Sequence, residues 1–411
     1  MRGISARDLL LFVFFVSLAG SITAAQVALA LLFVVALPEL WRRRATLLGL
    51  PLLGPFGALA GATLLAALRS GAVGWSLWES KDLLLIAAFY LVLVLVRDAE
   101  QATWLVAAFL LAVSAMALYG LGQVWLCHAR PPALEGAWLE RLCRTTWIFR
   151  AKGPFSIYMT FAGILGIALL LLLAQLAHRP WRQVWWMAPA GLVGLVTLAL
   201  TYSRNAWLGL GAGALGLVVA ARRALPALLV AAGLVGLLLL LPGPFQARVK
   251  SIANPQDPTI RERLLMWQSG LAILRDHPVT GIGPGQVSPF YPAYRHPEAT
   301  KASTGHLHNS PLQVAVERGL LGLAAWVWLW VAYFRGAWRA TRGLAPSRGR
   351  ERALAWGGLI AAAGFLVAGL FEYNFGDSEV LMLAYAVMAL PFIAAREAPP
   401  APAEAGGDEA R

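Results

Sequence analysis

The chain has 411 residues, 59% hydrophobic and 13% charged, with a formal net charge of +13 and a mean hydropathy of +0.65. That composition excludes a soluble globule and fits a protein that crosses a membrane many times. The basic excess is spread over links between apolar runs and forms no motif able to enter a groove, so no nucleic-acid partner is expected.

In chain order, apolar runs of helix length fall near residues 8–20, 22–38, 46–68, 82–97, 101–126, 154–177, 185–202, 206–220, 224–241, 311–334, 353–372 and 379–395. They are rich in Leu, Ala and Val and lack the short alternating segments of an outer-membrane barrel. They predict an all-α, polytopic transmembrane helical bundle of about twelve spans over residues 1–396, with a large external loop, 242–310, between spans nine and ten and a smaller one at 127–153. No polar segment follows a cleavage site near the N-terminus, so no signal peptide is expected. The Pro- and Ala-rich residues 397–411 read as a disordered cytoplasmic tail. Arg42-Arg43-Arg44, Arg97, Arg179 with Arg182, Arg222-Arg223 and the basic link from Arg335 to Arg352 then all fall inside, as the positive-inside rule requires.

The two external loops hold the informative residues. Cys127 and Cys143, the only cysteines, lie together in the first, where a disulfide is allowed; chance co-location is the alternative. In the second, Thr259-Ile260-Arg261-Glu262 reads as a capping box for an amphipathic helix carrying Leu264, Trp267, Leu271 and Leu274 and ending at His277-Pro278. Gly281-Ile282-Gly283-Pro284-Gly285 reads as a turn cluster with no nucleotide role, since it follows no strand and opens no clear helix.

His306 and His308 stand just before Ser310, Pro311 and Gln313, a pattern that predicts a helix capped by Ser310, with Gln313 completing a capping box and the helix running on through Trp326 to Tyr333. The positive end of that helix disfavours an imidazolium, so His308 is expected to be neutral and able to accept a proton. A metal would need a third ligand, which no motif spacing provides, and neither a metal nor another cofactor is expected. Solvated loop histidines are the bland alternative to a catalytic or substrate-orienting role. Arg204, in the short external link Tyr202-Ser203-Arg204-Asn205, is either a snorkelling arginine or the holder of an anion; its side of the membrane, where cations are disfavoured, favours the anion. Arg263 has the same two readings, whereas Arg261 beside it reads more as a surface charge. Arg69, Lys81, Arg150 and Lys152 bring further cations to that face without an equal cluster of carboxylates, and Glu317 and Arg318 read as a pair within the bundle. Guanidinium forks fit phosphate or diphosphate oxygens and could stand in for a metal.

These residues resemble the O-antigen ligase and O-antigen polymerase superfamily of bacterial envelope glycosyltransferases. The ligase pattern of His followed by Asn, Ser or Gln, nine residues and Gly-x-x-Gly is matched by His308-Asn309, the nine residues from Ser310 to Arg318, and Gly319-Leu320-Leu321-Gly322. Ser203-Arg204-Asn205-Ala206-Trp207 is similar to the family's external arginine motif, and Arg263-Leu264-Leu265-Met266-Trp267, leading to Pro278-Val279-Thr280-Gly281, to its run into the large periplasmic loop. The resemblance is strongest over residues 200–325. It implies metal-independent, inverting transfer of a glycan from undecaprenyl pyrophosphate to a sugar hydroxyl of lipid A-core at the periplasmic face of the inner membrane, within lipopolysaccharide biosynthesis. His308 would deprotonate or orient the hydroxyl, and Arg204 and Arg263 would hold the pyrophosphate; Arg69, Lys81, Lys152, Arg261, His306 and Asn309 are the surrounding candidates for substrate binding. Donor, acceptor and membrane lipids would be the partners. A polymerase or protein O-oligosaccharyltransferase of the same superfamily is the near alternative. An anion transporter is the distant one, disfavoured because a carrier's site should lie near the midplane on broken helices.

Overall fold

The computed structural model describes residues 5–42, 44–129, 149–221, 243–251 and 254–396, with single positions at 140, 143, 233 and 236. Every regular element among them is helical. In order these are α1 (Ala6–Ser17), α2 (Ile22–Arg42), α3 (Leu53–Arg69), α4 (Val73–Glu79), α5 (Ile86–Leu95), α6 (Ala99–Ala129), α7 (Tyr158–His178), α8 (Met187–Leu200) and α9 (Arg204–Ala221). They continue as α10 (Gly243–Lys250), α11 (Pro258–Asp276), α12 (Val287–Tyr294), α13 (Ser310–Arg342), α14 (Gly349–Gly369), α15 (Ser378–Met388) and α16 (Leu390–Ala394). Short helical turns such as Trp181–Val184 connect some of them.

Five of these helices, α2, α6, α7, α13 and α14, are long and apolar enough to cross a membrane. The chain is a multi-pass membrane protein. Each described apolar run expected from the sequence coincides with helix, but several pieces are short: at about 1.5 Å per residue, the ten residues of α5 reach only about half of a hydrocarbon core. The expected span at 224–241, apart from single positions 233 and 236, and the tail at 397–411 lie outside the described residues, as does most of loop 127–153. Cys127 and Cys143 are joined in a disulfide.

The centre of the bundle is the contact of α7, α9 and α14. Small residues allow it: a Cβ at Gly209 would fall 2.5 Å from the Gly364 carbonyl oxygen, and one at Gly213 2.5 Å from the Leu170 side chain. Backbones thus approach as they do in helix pairs packed through small-xxx-small patterns. In contrast, α2 and α3 carry outward apolar side chains such as Val34, 60% exposed, and Leu68, 60% exposed, as a lipid-facing surface does.

α13 is not the uninterrupted helix that the sequence predicts. At Gly319 the backbone turns to φ 66°, ψ −172°, which divides a first segment of nine residues from the long apolar one. The turn segment 278–283 fills the break: Ile282 and Gly283 donate to the carbonyls of Val316 and Glu317, while Leu320 and Leu321 donate to those of Pro278 and Val279. A Cβ at Gly319 would strike the Val279 carbonyl, and one at Gly281, also at positive φ, would strike that of Val316. The glycine turn 281–285 is therefore a clasp on α13, and these two positions need glycine for both conformation and space.

Candidate active site

Both helix starts in this region are capped one or two residues earlier than the sequence suggests. Asn309, not Ser310, caps α13 by accepting from the Leu312 N–H. Asp257, not Thr259, caps α11, accepting from Thr259 and Ile260 with Pro258 at the first position. The shift frees the expected box partners for other contacts. Gln313 accepts from the Leu307 N–H and donates to Glu317, while Glu262 accepts from Thr300 and Lys301 and ties the loop before His306 to α11. Ser310, left without a capping duty, donates to the carbonyl of Glu372.

That last contact leads to the residue that sequence reasoning missed. Glu372 lies in the link between α14 and α15, is 7% exposed, and accepts from His308 Nδ1 at 2.8 and 3.0 Å. Arg263 Nη2 donates to Oε2, the oxygen 3.0 Å from His308, at 3.2 Å, and Arg263 Nη1 donates to the Phe371 carbonyl at 2.6 Å. Asn309 donates to the Leu370 carbonyl, so the helix start and the link are stitched at three points. A hint was present in the sequence: a carboxylate directly after an apolar span, in Leu370-Phe371-Glu372-Tyr373-Asn374, is a costly placement that calls for a partner. The partner lies 64 residues away, which no spacing rule could name.

A carboxylate only accepts, so His308 Nδ1 must carry the hydrogen in this contact, and in the neutral ring Nε2 is left with its lone pair. His308 is held at φ 51°, in the left-handed region, where a non-glycine residue is strained; such strain is often concentrated at functional positions. It places the ring 4.2 Å from that of His306. His306 Nδ1 accepts from the His308 N–H and lies 3.6 Å from Glu372, beyond hydrogen-bond range. Loss of solvation, with the charges of His308, Arg263 and Lys301 behind it, outweighs Glu372 and depresses the His306 pKa to about 4. Burial alone would raise the Glu372 carboxyl, but the His308 hydrogen bond and the charges of His308, His306 and Arg263 hold it below its ordinary value.

His306, His308 and Glu372 form a cluster able to hold a metal ion, with one donor atom of each within 4.8 Å of the others. The third ligand that spacing did not show is thus supplied by the fold. Even so, Arg263 already brings a positive charge to the same carboxylate, which disfavours a dication there.

A second cluster, rich in guanidinium groups, adjoins the first. Tyr202, at φ 56°, turns the chain from α8 into α9 and places Arg204 at the helix start. Arg204 is 9% exposed; Nη1 donates to the Ser251 hydroxyl at 2.7 Å and Nη2 to Asp257 at 3.3 Å. Arg248, on α10, points back to the Tyr202 carbonyl. Arg150 stacks on Tyr158 at 4.4 Å. Burial first, then the charge of Arg204, pushes the Arg263 guanidinium below its ordinary value against the pull of Glu372. The two clusters therefore share one electrostatic environment. Contrary to the sequence reading, carboxylates do accompany the arginines: Asp257 on Arg204, Glu372 on Arg263 and Glu298 on Arg261.

The remaining candidates are more dispersed. Arg261 forms an exposed pair with Glu298. Lys81 pairs with Glu79 and covers the Trp78 ring, and exposed Arg69 ends α3; neither shares a described hydrogen bond or ion pair with the two clusters. Lys152 is half-buried, close to Arg150 in the chain. Glu317 and Arg318 form the expected internal pair, at 2.8 Å, and Glu317 also accepts from Gly285 N–H of the glycine clasp.

Residues 189–327, which contain Arg204, Arg263, His306 and His308, match the model of the family described as O-antigen ligase. That segment is similar to the O-antigen ligase superfamily. A search of curated proteins finds no match. The superfamily comprises membrane enzymes of the ligase and polymerase type, whose substrates are in general lipid-linked glycans and lipid acceptors. The matched segment ends before Glu372, so this carboxylate is supplied from outside it.

Proposed function

We propose that the chain is an O-antigen ligase that transfers a glycan from undecaprenyl pyrophosphate to a sugar hydroxyl of lipid A-core, at the periplasmic face of the inner membrane. The observation that carries this reading is the His308–Glu372 pair, with its free Nε2, standing beside buried guanidinium groups at one end of the bundle. In this reaction the acceptor oxygen forms a bond to the anomeric carbon and its proton passes to His308 Nε2. The bond from that carbon to the diphosphate oxygen breaks, and the electron pair leaves on the diphosphate. Attack opposite the leaving group inverts the anomeric centre. Glu372 stabilises the imidazolium as it forms and fixes the ring orientation, while Arg204 and Arg263 offset the charge gathering on the leaving group. Arginine takes the part that a metal plays in other glycosyl transfers, so no metal or cofactor is required.

The test is transfer by the purified protein from a polyprenyl-diphosphate-linked glycan to lipid A-core in liposomes. Product with an inverted linkage, formed at the same rate after EDTA treatment, is expected. Extension of the donor glycan without modification of the lipid A-core would assign a polymerase instead, and a rate lost on chelation and restored by Mg²⁺ or Mn²⁺ would overturn the arginine mechanism.

A further inference from the structure

The arginines around the proposed diphosphate site differ in how many of their donors the protein already uses. Arg204 gives Nη1 to Ser251 and Nη2 to Asp257, and Arg263 gives Nη1 to the Phe371 carbonyl and Nη2 to Glu372. Arg248 makes one described hydrogen bond, from Nε to the Tyr202 carbonyl, and at 3.5 Å it is a long one. Among the described residues no carboxylate lies within ion-pair distance of it, and neither Nη1 nor Nη2 has a hydrogen-bond partner. The sequence patterns do not single this residue out.

Its position is set by the same turn that holds Arg204. The Ser251 hydroxyl donates to the Arg248 carbonyl and accepts from Arg204 Nη1, so both arginines are anchored on the end of α10. We infer that Arg248 supplies the open guanidinium edge of the diphosphate site and contacts the phosphate oxygens directly, an inference that rests on reading this site as the binder of a lipid diphosphate. Arg204 then frames the site, holding α10 and the start of α11 in place while contributing its charge.

The electrostatics agree. Burial, followed by the charges of Arg204 and Arg150, depresses the Arg248 pKa to about 10, and Asp257 offsets this only in part. A half-buried guanidinium crowded by like charges gains most from an anion, and its two parallel Nη donors match two oxygens of one phosphate. A diphosphate presents more acceptors than the committed donors of Arg204 and Arg263 can satisfy, and the open fork meets that need.

The experiment measures binding of a polyprenyl diphosphate without glycan to the full-length protein in nanodiscs, together with donor KM and kcat. Arg248→Ala is expected to weaken binding roughly ten- to a hundred-fold, the scale of a lost charge-assisted hydrogen-bond pair, and to raise KM more than it lowers kcat. Arg248→Lys should recover part of the loss, the corresponding monophosphate should be affected less, and Lys250→Ala, an exposed change two residues further on, should have no effect. If Arg248→Ala does not fold, Arg248→Lys, which keeps the charge and stem, decides by its ratio of diphosphate to monophosphate affinity. Wild-type protein that binds the diphosphate, with an Arg248→Ala variant that binds it equally well, would overturn this inference alone. Wild-type protein with no affinity for the diphosphate would overturn the functional reading, and this inference with it.

Discussion

The imidazole cluster and the guanidinium cluster are neighbours, yet they are finished to different degrees. Around His308 the protein is nearly complete in itself: Glu372 takes the Nδ1 hydrogen, Asn309 and Ser310 lock the link to the helix start, and Trp267 donates to the Leu307 carbonyl behind the ring. Around Arg248, no carboxylate among the described residues lies within ion-pair distance of a half-buried cation, and the like charges of Arg204 and Arg150 press on it against a partial offset from Asp257. A group that moves a proton must be aimed before the substrate arrives, so its donors and acceptors belong to the protein. A group that receives an anion must keep donors in reserve. On the function proposed above, that difference fits chemistry at one cluster and anion binding at the other.

The largest expected effect breaks the first half of that comparison. His308→Ala should lower transfer by roughly 10²–10⁴, the usual contribution of a positioned base, with donor binding little changed. Near wild-type transfer by this variant, or inactivity of His306→Ala in its place, would remove His308 from the role.

Glu372→Gln sharpens the same half. The amide keeps the size but offers His308 and Arg263 an oxygen without charge, and its nitrogen cannot accept from either. Transfer should fall by roughly ten- to a hundred-fold, the scale of a base displaced by about 1 Å. Donor affinity should fall less than it does for Arg248→Ala. Equal losses in binding and transfer would mean that Glu372 serves the guanidinium side instead.

How far the sequence could foresee this depends on range. Apolar runs such as 154–177 became helices near their expected bounds, because a span's helicity is decided locally by the need to satisfy its own backbone in lipid. The motif His308, Gly319 and Gly322 was visible, but not its reason: Gly319 breaks α13 where segment 278–283 crosses, and a Cβ on Gly322 would collide with the Arg318 side chain. Both capping boxes were misread by a residue or two because Asp257 and Asn309 cap as well as the Thr and Ser that follow, and local rules cannot see that Glu262 and Gln313 have tertiary partners. Glu372 and Arg248 escaped notice altogether, since the first acts across the bundle and the second sits on a short polar helix with no motif.

A smaller effect follows from His306, whose folded pKa of about 4 stands below the ordinary 6.5. Between these values the unfolded chain binds the proton and the folded one does not. The stability that depends on a neutral His306 is therefore fully present above pH 6.5 and is lost as pH falls toward 4. Glu372, also depressed, adds a loss that begins lower, as pH falls through the carboxylate range. Melting temperatures at pH 7.5 and 5 should differ less for His306→Gln than for the wild type, because the variant lacks the group whose protonation costs stability on acidification. An identical drop in both would show that His306 titrates normally in the folded protein.

The smallest effect tests the outer limit of the guanidinium cluster. Arg261 and Arg263 are two residues apart on α11, about 200° around the helix axis, so they face opposite ways. Arg263 points inward to Glu372, while Arg261 meets Glu298 at 2.7 Å with both side chains more than half exposed, at 59% and 60%. An exposed pair of this kind contributes about 0–1 kcal/mol, and salt screens it further. Arg261→Ala should accordingly leave melting temperature, donor KM and transfer close to wild type, although the sequence placed this residue among the candidates for substrate binding. A donor KM raised as much by Arg261→Ala as by Arg248→Ala would mean that the anion extends past α11 toward Glu298. The boundary between a finished catalytic cluster and an open binding cluster would then have to be redrawn.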